Sequence, residues 1–178
     1  VIEQFCGRTQ VCRLRAIEPY YSMDNPWTRA LKNKKVLVIH PFADSIQKQY
    51  QKREHLFSNI DFLPQMELMT MKAVQTIAGQ KDNRFRNWFE ALEYMHQETQ
   101  KYDYDIAILG CGAYGFPLAA RIKRDGKKAI HMGGATQILF GIKGKRWEHH
   151  EVISNLFNEY WIKPSEQETP KRRDRIED

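Results

Sequence analysis

The sequence predicts an α/β fold, namely a Rossmann-like open parallel sheet of about four or more strands flanked by helices. Short runs of consecutive apolar residues, typical of strands buried on both faces, alternate along the chain with segments of helical periodicity. A glycine-rich turn at residues 110–115 follows one of these runs and opens the next helical segment. Strands that alternate with helices in this way form βαβ units around a parallel sheet.

The first half of the chain holds two predicted strands with a helix between them. A β-branched apolar run at residues 36–39 predicts the first strand. Helical spacing at residues 44–57 predicts a helix that Asp44 or Ser45 would cap. A less regular apolar segment at residues 66–73 predicts the second strand.

A loop at residues 79–83 leads into the clearest helical pattern, at residues 84–102. Its apolar and aromatic stripe is expected to pack in the core rather than to line a cofactor site: Phe85, Trp88, Phe89, Leu92, Met95 and Thr99.

The glycine-rich turn lies between a predicted strand at residues 106–109 and a helix that starts at residues 116–117. Proline at position 117 suits the first turn of a helix, and Gly126 suits the position just after its end. A last strand is predicted at residues 129–132.

Three regions are expected along the chain. Residues 1–33 form an irregular or weakly helical segment, residues 34–163 form the Rossmann-like domain, and residues 164–178 form a basic polar tail. Because position 1 is valine and not methionine, we interpret the first region as the remnant of a longer chain.

Composition narrows the class of protein. A length of 178 residues with 42% hydrophobic residues fits one domain with a core that needs no disulfides. Three cysteines are a sparse, odd set, so we expect a reducing, cytoplasmic location. No apolar run approaches the ~20 residues of a transmembrane helix, and no signal peptide is visible at the start.

The net charge of +6 is moderate. A nucleic-acid-binding protein would typically show a basic stripe interleaved with aromatic residues on a recognisable module, so no nucleic-acid partner is predicted. The excess positive charge can instead serve an anionic ligand such as a phosphate. Oligomeric state stays open.

The spacing of Gly110, Gly112 and Gly115 is that of a nucleotide-binding turn. Such glycines let the backbone approach a phosphate, and the following helix start offers free N–H groups to an anion. A tight turn with no ligand is the alternative. A dinucleotide site would usually want Asp or Glu at the end of the next strand, where this chain has His131 and Met132.

A second group of residues follows the last predicted strand and can contribute to phosphate binding. Glycine gives close backbone approach there, and lysine and arginine give charge-assisted hydrogen bonds. A solvated basic turn is the alternative. The candidates are Gly133, Gly134, Thr136, Lys143, Lys145 and Arg146.

His40 and His131 are the candidate catalytic bases, since each ends a predicted strand on the side where open α/β sheets bind ligands. Each can equally be a structural histidine. His149 and His150 have no partner at metal-ligand spacing, and no metal ligand is predicted.

Two further chemical candidates are set aside. Asp103 and Asp105 precede a strand, so they are expected at the edge of the sheet away from the ligand. Cys111 has no recognisable base and is interpreted as a small packed residue.

Residues 104–147, with residues 25–46 upstream and residues 158–164 downstream, resemble a family of bacterial proteins encoded among polysaccharide-biosynthesis genes. That family is similar to glycosyltransferases of the D-type fold (GT-D). The resemblance covers residues 17–164 and corresponds to the C-terminal portion of the longer family members.

The resemblance implies a nucleoside-diphosphate sugar as the donor substrate and a glycan acceptor. It also implies a divalent metal, Mn or Mg, although the Asp-x-Glu signature of D-type transferases has no match here at the end of a strand. Three functions therefore stay open. They are a glycosyltransferase-like domain of surface polysaccharide biosynthesis, a non-catalytic nucleotide- or partner-binding domain, and, less favoured, an NAD- or FAD-dependent oxidoreductase.

Overall fold

The computed structural model describes residues 7, 9–76 and 81–169. Its centre is a sheet of four strands, all parallel, in the order β2-β1-β3-β4. This architecture confirms the predicted α/β fold. The strands are β1 (Lys35–His40), β2 (Glu67–Lys72), β3 (Ile106–Leu109) and β4 (Lys128–His131).

Helices cover both faces of the sheet. Alternate residues of β1 enter two separate cores, since Val36 and Val38 pack on one side and Leu37 and Ile39 on the other. This two-sided burial explains why β1 reads as an unbroken apolar run. The helices are α1 (Ala43–Tyr50), α2 (Arg53–Leu56), α3 (Trp88–Thr99) and α4 (Gly115–Arg124).

The predicted single helix at residues 44–57 is wrong in two respects. The chain forms two helices, α1 and α2, which a turn at residues 51–52 separates. The N-cap of α1 is Phe42, and no side chain caps from that position. Ser45 instead turns its hydroxyl and its amide N–H toward Glu168, far along the chain.

Helix α3 is shorter than the predicted 84–102, because Asn87 caps it. The Asn87 side chain accepts a hydrogen bond from the Glu90 amide at 3.0 Å. Leu92 and Met95 are buried as predicted, whereas Phe89 is 72% exposed and its predicted inward position is wrong. Phe89 lies at the edge of the face that the buried residues define, about 60° around the helix from Leu92.

A 3₁₀ turn at Gly112–Tyr114 leads into α4. The helix ends as predicted, with Gly126 just beyond it at φ +83°. After β4 the chain continues in 3₁₀ turns, the longest at Gly133–Phe140. A parallel bridge between Ile142 and Ile162 connects two of the later segments.

The segments on either side of the predicted domain pack against it. Within residues 9–33, the chain forms three short 3₁₀ turns, and the buried Tyr20 hydroxyl donates to the Ala135 carbonyl at 2.5 Å. At the other end, Glu168 is only 4% exposed, whereas residues 165–167 are exposed.

Some predicted features lie outside the described residues. These are the start of the loop at residues 79–83, Cys6, and the basic cluster of Lys171, Arg172, Arg173 and Arg175. In the part of the chain that is described, none of the helices has the length and apolar character needed to cross a bilayer.

Candidate functional site

A cleft of about 950 Å³ opens at the carboxyl ends of β1 and β3. The connection from β1 leads to β2 on one side, and the connection from β3 leads to β4 on the other. Helices therefore diverge at this point and leave a crevice, which is where open α/β sheets bind ligands. The volume suits a ligand of small-molecule or nucleotide size.

His40 lines the cleft at the end of β1 and is 3% exposed. Its Nδ1 accepts a hydrogen bond from the Phe42 amide N–H at 3.0 Å, and the two rings pack 4.8 Å apart. Burial lowers the pKa of His40 to about 3, against a smaller opposing effect of the Glu168 charge. The imidazole is therefore neutral at neutral pH and is a weak base.

The glycine-rich turn forms the adjoining part of the cleft, and two of its glycines lie there. A Cβ on Gly110 would overlap the His40 ring and would lie 2.8 Å from both the Gly133 carbonyl oxygen and Thr136 Cβ. Gly112 has a positive φ of +54° and open space beside its Cα. Gly110 thus permits close packing of the His40 ring and the Gly133 carbonyl, and Gly112 leaves its backbone open to a ligand.

Four basic residues, called the basic rim below, line the same cleft as this turn: Lys143, Lys145, Arg146 and Lys163. The Arg146 guanidinium lies 3.9 Å from the centre of the Trp147 ring. A side chain at position 134 would overlap Nη2 of Arg146, so glycine at this position leaves room for the guanidinium. The exposed Lys163 pairs with Glu148 at 3.6 Å. Among the described residues that line the cleft, Glu148 is the one carboxylate, so the site is net positive.

An aromatic wall closes another side of the cleft. The rings of Trp88 and Tyr114 stack at 5.1 Å and 9°, and the Tyr114 hydroxyl lies 3.0 Å from Thr76 Oγ1. The sequence did not indicate this wall, because its three residues come from separate segments and no local pattern joins them.

The predicted site residues fall into two groups. His40, Gly110, Gly112, Gly134, Lys143, Lys145 and Arg146 line the cleft.

The cleft lining does not include Gly115, His131, Gly133 or Thr136. The His131 ring fills the space beside Gly115, with Nδ1 3.3 Å from the Leu109 carbonyl oxygen. Thr136 is fully buried and its hydroxyl donates to the same carbonyl at 3.2 Å. These two side chains therefore pack against the turn and the end of β3 and do not line the cleft.

Glu168 lies beside the cleft and was not predicted as a site residue. Its carboxylate accepts hydrogen bonds from the amides of Asp44 and Ser45, at 2.9 and 3.2 Å, and from the hydroxyls of Ser45 and Ser165. Burial acts to raise the pKa of Glu168, but these hydrogen bonds outweigh it and hold the pKa below its usual value. No short-range sequence signal links Glu168 to a helix more than a hundred residues earlier.

Asp103, Asp105 and Cys111, which the sequence analysis rejected as site residues, lie where they were expected. Asp105 accepts from the Lys35 amide at 2.9 Å, and Asp103 pairs with Lys35 Nζ at 2.5 Å, at the amino end of β1 and away from the cleft. Cys111 is buried, and burial raises the pKa of its thiol to about 12.

His150 has a structural role. Its Nδ1 accepts from the amides of Val152 and Ile153 at 3.2 and 3.3 Å. Over residues 7, 9–76 and 81–169 the structure brings together no group of three His, Cys, Asp or Glu side chains that could hold a metal ion.

Comparison of the chain with protein-family models, with curated proteins and with solved structures found no match. The interpretation of the cleft therefore depends on its own geometry and charge.

Proposed function

We propose that the cleft binds a nucleoside-diphosphate sugar and that the chain is a glycosyltransferase-like domain of surface polysaccharide biosynthesis. One observation carries the proposal: the glycine-rich turn and the basic rim, separate in sequence, line the same cleft at the switch point of the sheet. The resemblance to D-type glycosyltransferases supplies the sugar and the acceptor.

The charges suit a diphosphate. Gly112 offers backbone approach, and Lys143, Lys145 and Arg146 would offset the negative charge of the phosphates. In sugar transfer, the bond from the anomeric carbon to the diphosphate breaks. Cations at the departing oxygens stabilise the charge that develops there.

The described cleft residues do not fit a divalent metal. Proteins usually hold a nucleotide-bound divalent metal with one or two carboxylates, and the one carboxylate of the described cleft lining, Glu148, pairs with Lys163. We therefore assign the neutralising role to the lysines and arginine.

The second candidate is a nucleotide-binding domain without catalysis. His40 favours it, because a buried imidazole with a pKa of about 3 and an occupied Nδ1 is poorly suited to take a proton from an acceptor hydroxyl. His131 lies outside the cleft. Release of free sugar from a bound nucleotide sugar, measured with and without Mn²⁺, distinguishes the two functions.

Calorimetry with UDP, ADP, GDP and CDP, and with NAD and FAD, tests the proposal. We expect a nucleoside diphosphate to bind, and the Lys143→Ala/Lys145→Ala variant to lose roughly 1–3 kcal/mol of binding free energy. The loss should shrink at high salt, because these lysines are partly or fully exposed and therefore screened.

The matched control is Lys123→Ala/Lys128→Ala, which removes the same charge at the opposite edge of the sheet. It should bind as the parent does. Equal weakening in both variants would mean that the basic rim has no specific role. Failure of the parent to bind any nucleoside diphosphate would refute the proposed function.

A further inference from the structure

We propose that His40 binds the ligand as a hydrogen-bond donor, through Nε2–H, to an anionic phosphate oxygen at the floor of the cleft. The inference deepens the proposed function and rests on it. It assigns His40 a binding role that differs from the proton-accepting role expected from the sequence.

The hydrogen bond from Phe42 determines the tautomer of the His40 ring. A backbone N–H can only donate, so the 3.0 Å contact from the Phe42 amide requires a lone pair on His40 Nδ1. The single proton of the neutral imidazole then lies on Nε2. Because burial disfavours the imidazolium ion, this tautomer persists at neutral pH.

The second step concerns the position of the ring. One face packs on Phe42, and Cδ2 lies so close to Gly110 that a side chain at position 110 would overlap it. The Phe42 hydrogen bond and the Gly110 contact together hold the imidazole in one orientation. The donor is therefore fixed before any ligand arrives, which reduces the entropy lost on binding.

The third step concerns the unused donor. His40 is 3% exposed and lines the cleft, and no described residue forms a hydrogen bond to its Nε2. Nε2 is not one of the fully buried side-chain atoms that lack a partner, so it keeps some contact with solvent. Water can satisfy a donor that keeps solvent contact, and a ligand in the cleft can replace that water. Beside a net positive rim, the acceptor that best satisfies this donor is an anionic oxygen.

The test compares two substitutions of His40. Asparagine places an acceptor near the position of Nδ1 and so retains the Phe42 contact, but it has no donor at the position of Nε2. Glutamine places an amide donor near Nε2 and loses the acceptor. We expect His40→Asn to weaken the best-binding nucleoside diphosphate by roughly 10- to 100-fold and His40→Gln to restore part of that affinity.

Two controls isolate the phosphate contact. The nucleoside without phosphates should bind the parent and His40→Asn equally. His150→Asn alters a histidine whose Nδ1 also accepts from backbone amides but which lies outside the cleft, and it should bind as the parent does. If His40→Asn retains full affinity while the Lys143→Ala/Lys145→Ala variant loses it, this inference fails and the proposed function stands.

A second measurement needs no variant. In ¹⁵N-histidine NMR spectra of the parent at neutral pH, His40 should show a protonated Nε2 and an unprotonated Nδ1. Addition of inorganic pyrophosphate should shift the Nε2–H signal of His40 and leave that of His150 in place. A proton on Nδ1, or no shift at saturating pyrophosphate, would overturn the inference. A shift in a protein that binds no nucleotide would support it and refute the proposed function.

Discussion

Each glycine of the turn at residues 110–115 meets a different steric demand. Gly110 leaves room for the His40 ring and for the Gly133 carbonyl oxygen, and Gly112 adopts a positive φ beside open space. Gly115 has ordinary helical angles, φ −61° and ψ −47°, yet a Cβ there would overlap the His131 ring. The third glycine is thus required by one neighbouring side chain and not by its backbone.

The contact between Gly115 and His131 predicts that the effect of Gly115→Ala on stability changes sign when the His131 ring is removed. Gly115→Ala should destabilise the parent by roughly 1–3 kcal/mol, because the added methyl overpacks against His131. With His131→Ala in place the ring is gone, and Gly115→Ala should stabilise the protein by roughly 0.5–1 kcal/mol through helix propensity. Urea unfolding of the four proteins in this double-mutant cycle provides the measurement.

Gly112→Ala is the control for the cycle. Its cost comes from the positive φ, is roughly 1–2 kcal/mol, and should be the same with or without His131. Additive effects of Gly115→Ala and His131→Ala would contradict the packing that the structure shows.

At the scale of elements, helix α1 depends on a distant residue. Its first turn contains Asp44 and Ser45, whose amides donate to the Glu168 carboxylate. A carboxylate at a helix N-terminus satisfies free N–H groups and interacts favourably with the helix dipole. Glu168 therefore caps α1 from the far end of the chain and fixes residues 165–169 beside the cleft.

We expect Glu168→Gln to lower the free energy of unfolding by roughly 1–2 kcal/mol, because the amide loses the charge and one acceptor oxygen. Amide hydrogen exchange should rise at residues 44–46 and 165–169. Glu166→Gln is the matched control, since no other described residue forms a hydrogen bond with that exposed carboxylate. If both variants exchange as the parent does, Glu168 does not hold the segment in place.

The same elements show what could be predicted from the sequence. Strand positions were correct to within about a residue, because burial on both faces leaves a local signature in β1 and β3. The glycine-rich turn and the basic loop were identified because each follows a strand end. The cap of α1, the exposed Phe89 and the stacking of Trp88 on Tyr114 depend on contacts between distant segments, which no local pattern records.

At the scale of the whole molecule, the buried His40 links stability to pH. Its folded-state pKa of about 3 lies below the value of about 6.5 expected in the unfolded chain. Between these values the unfolded state binds a proton that the folded state excludes. Stability is therefore fully present above about pH 6.5 and falls as the pH decreases toward 3.

The expected slope from His40 is about 1.4 kcal/mol for each pH unit within that window. His40→Asn should remove this contribution, so the difference in unfolding free energy between parent and variant should narrow as the pH falls from 6.5. Urea denaturation at successive pH values tests this. The comparison cancels other acid-sensitive groups that do not interact with His40. Parallel pH profiles for the two proteins would mean that His40 is readily protonated in the folded state.

The central position of β1 in the sheet constrains the folding of the chain during its synthesis. Strand β1 precedes all its partners in the chain, yet it needs β2 on one side and β3 on the other before its backbone groups are paired. During synthesis, the apolar side chains of β1, which are fully buried in the folded protein, stay exposed until residues 106–109 have left the ribosome. Exposed apolar surface and unpaired strand edges of this kind make an incompletely folded chain prone to aggregation. The central position of β1, which creates the cleft, thus also exposes the nascent chain to aggregation until β3 has been synthesised.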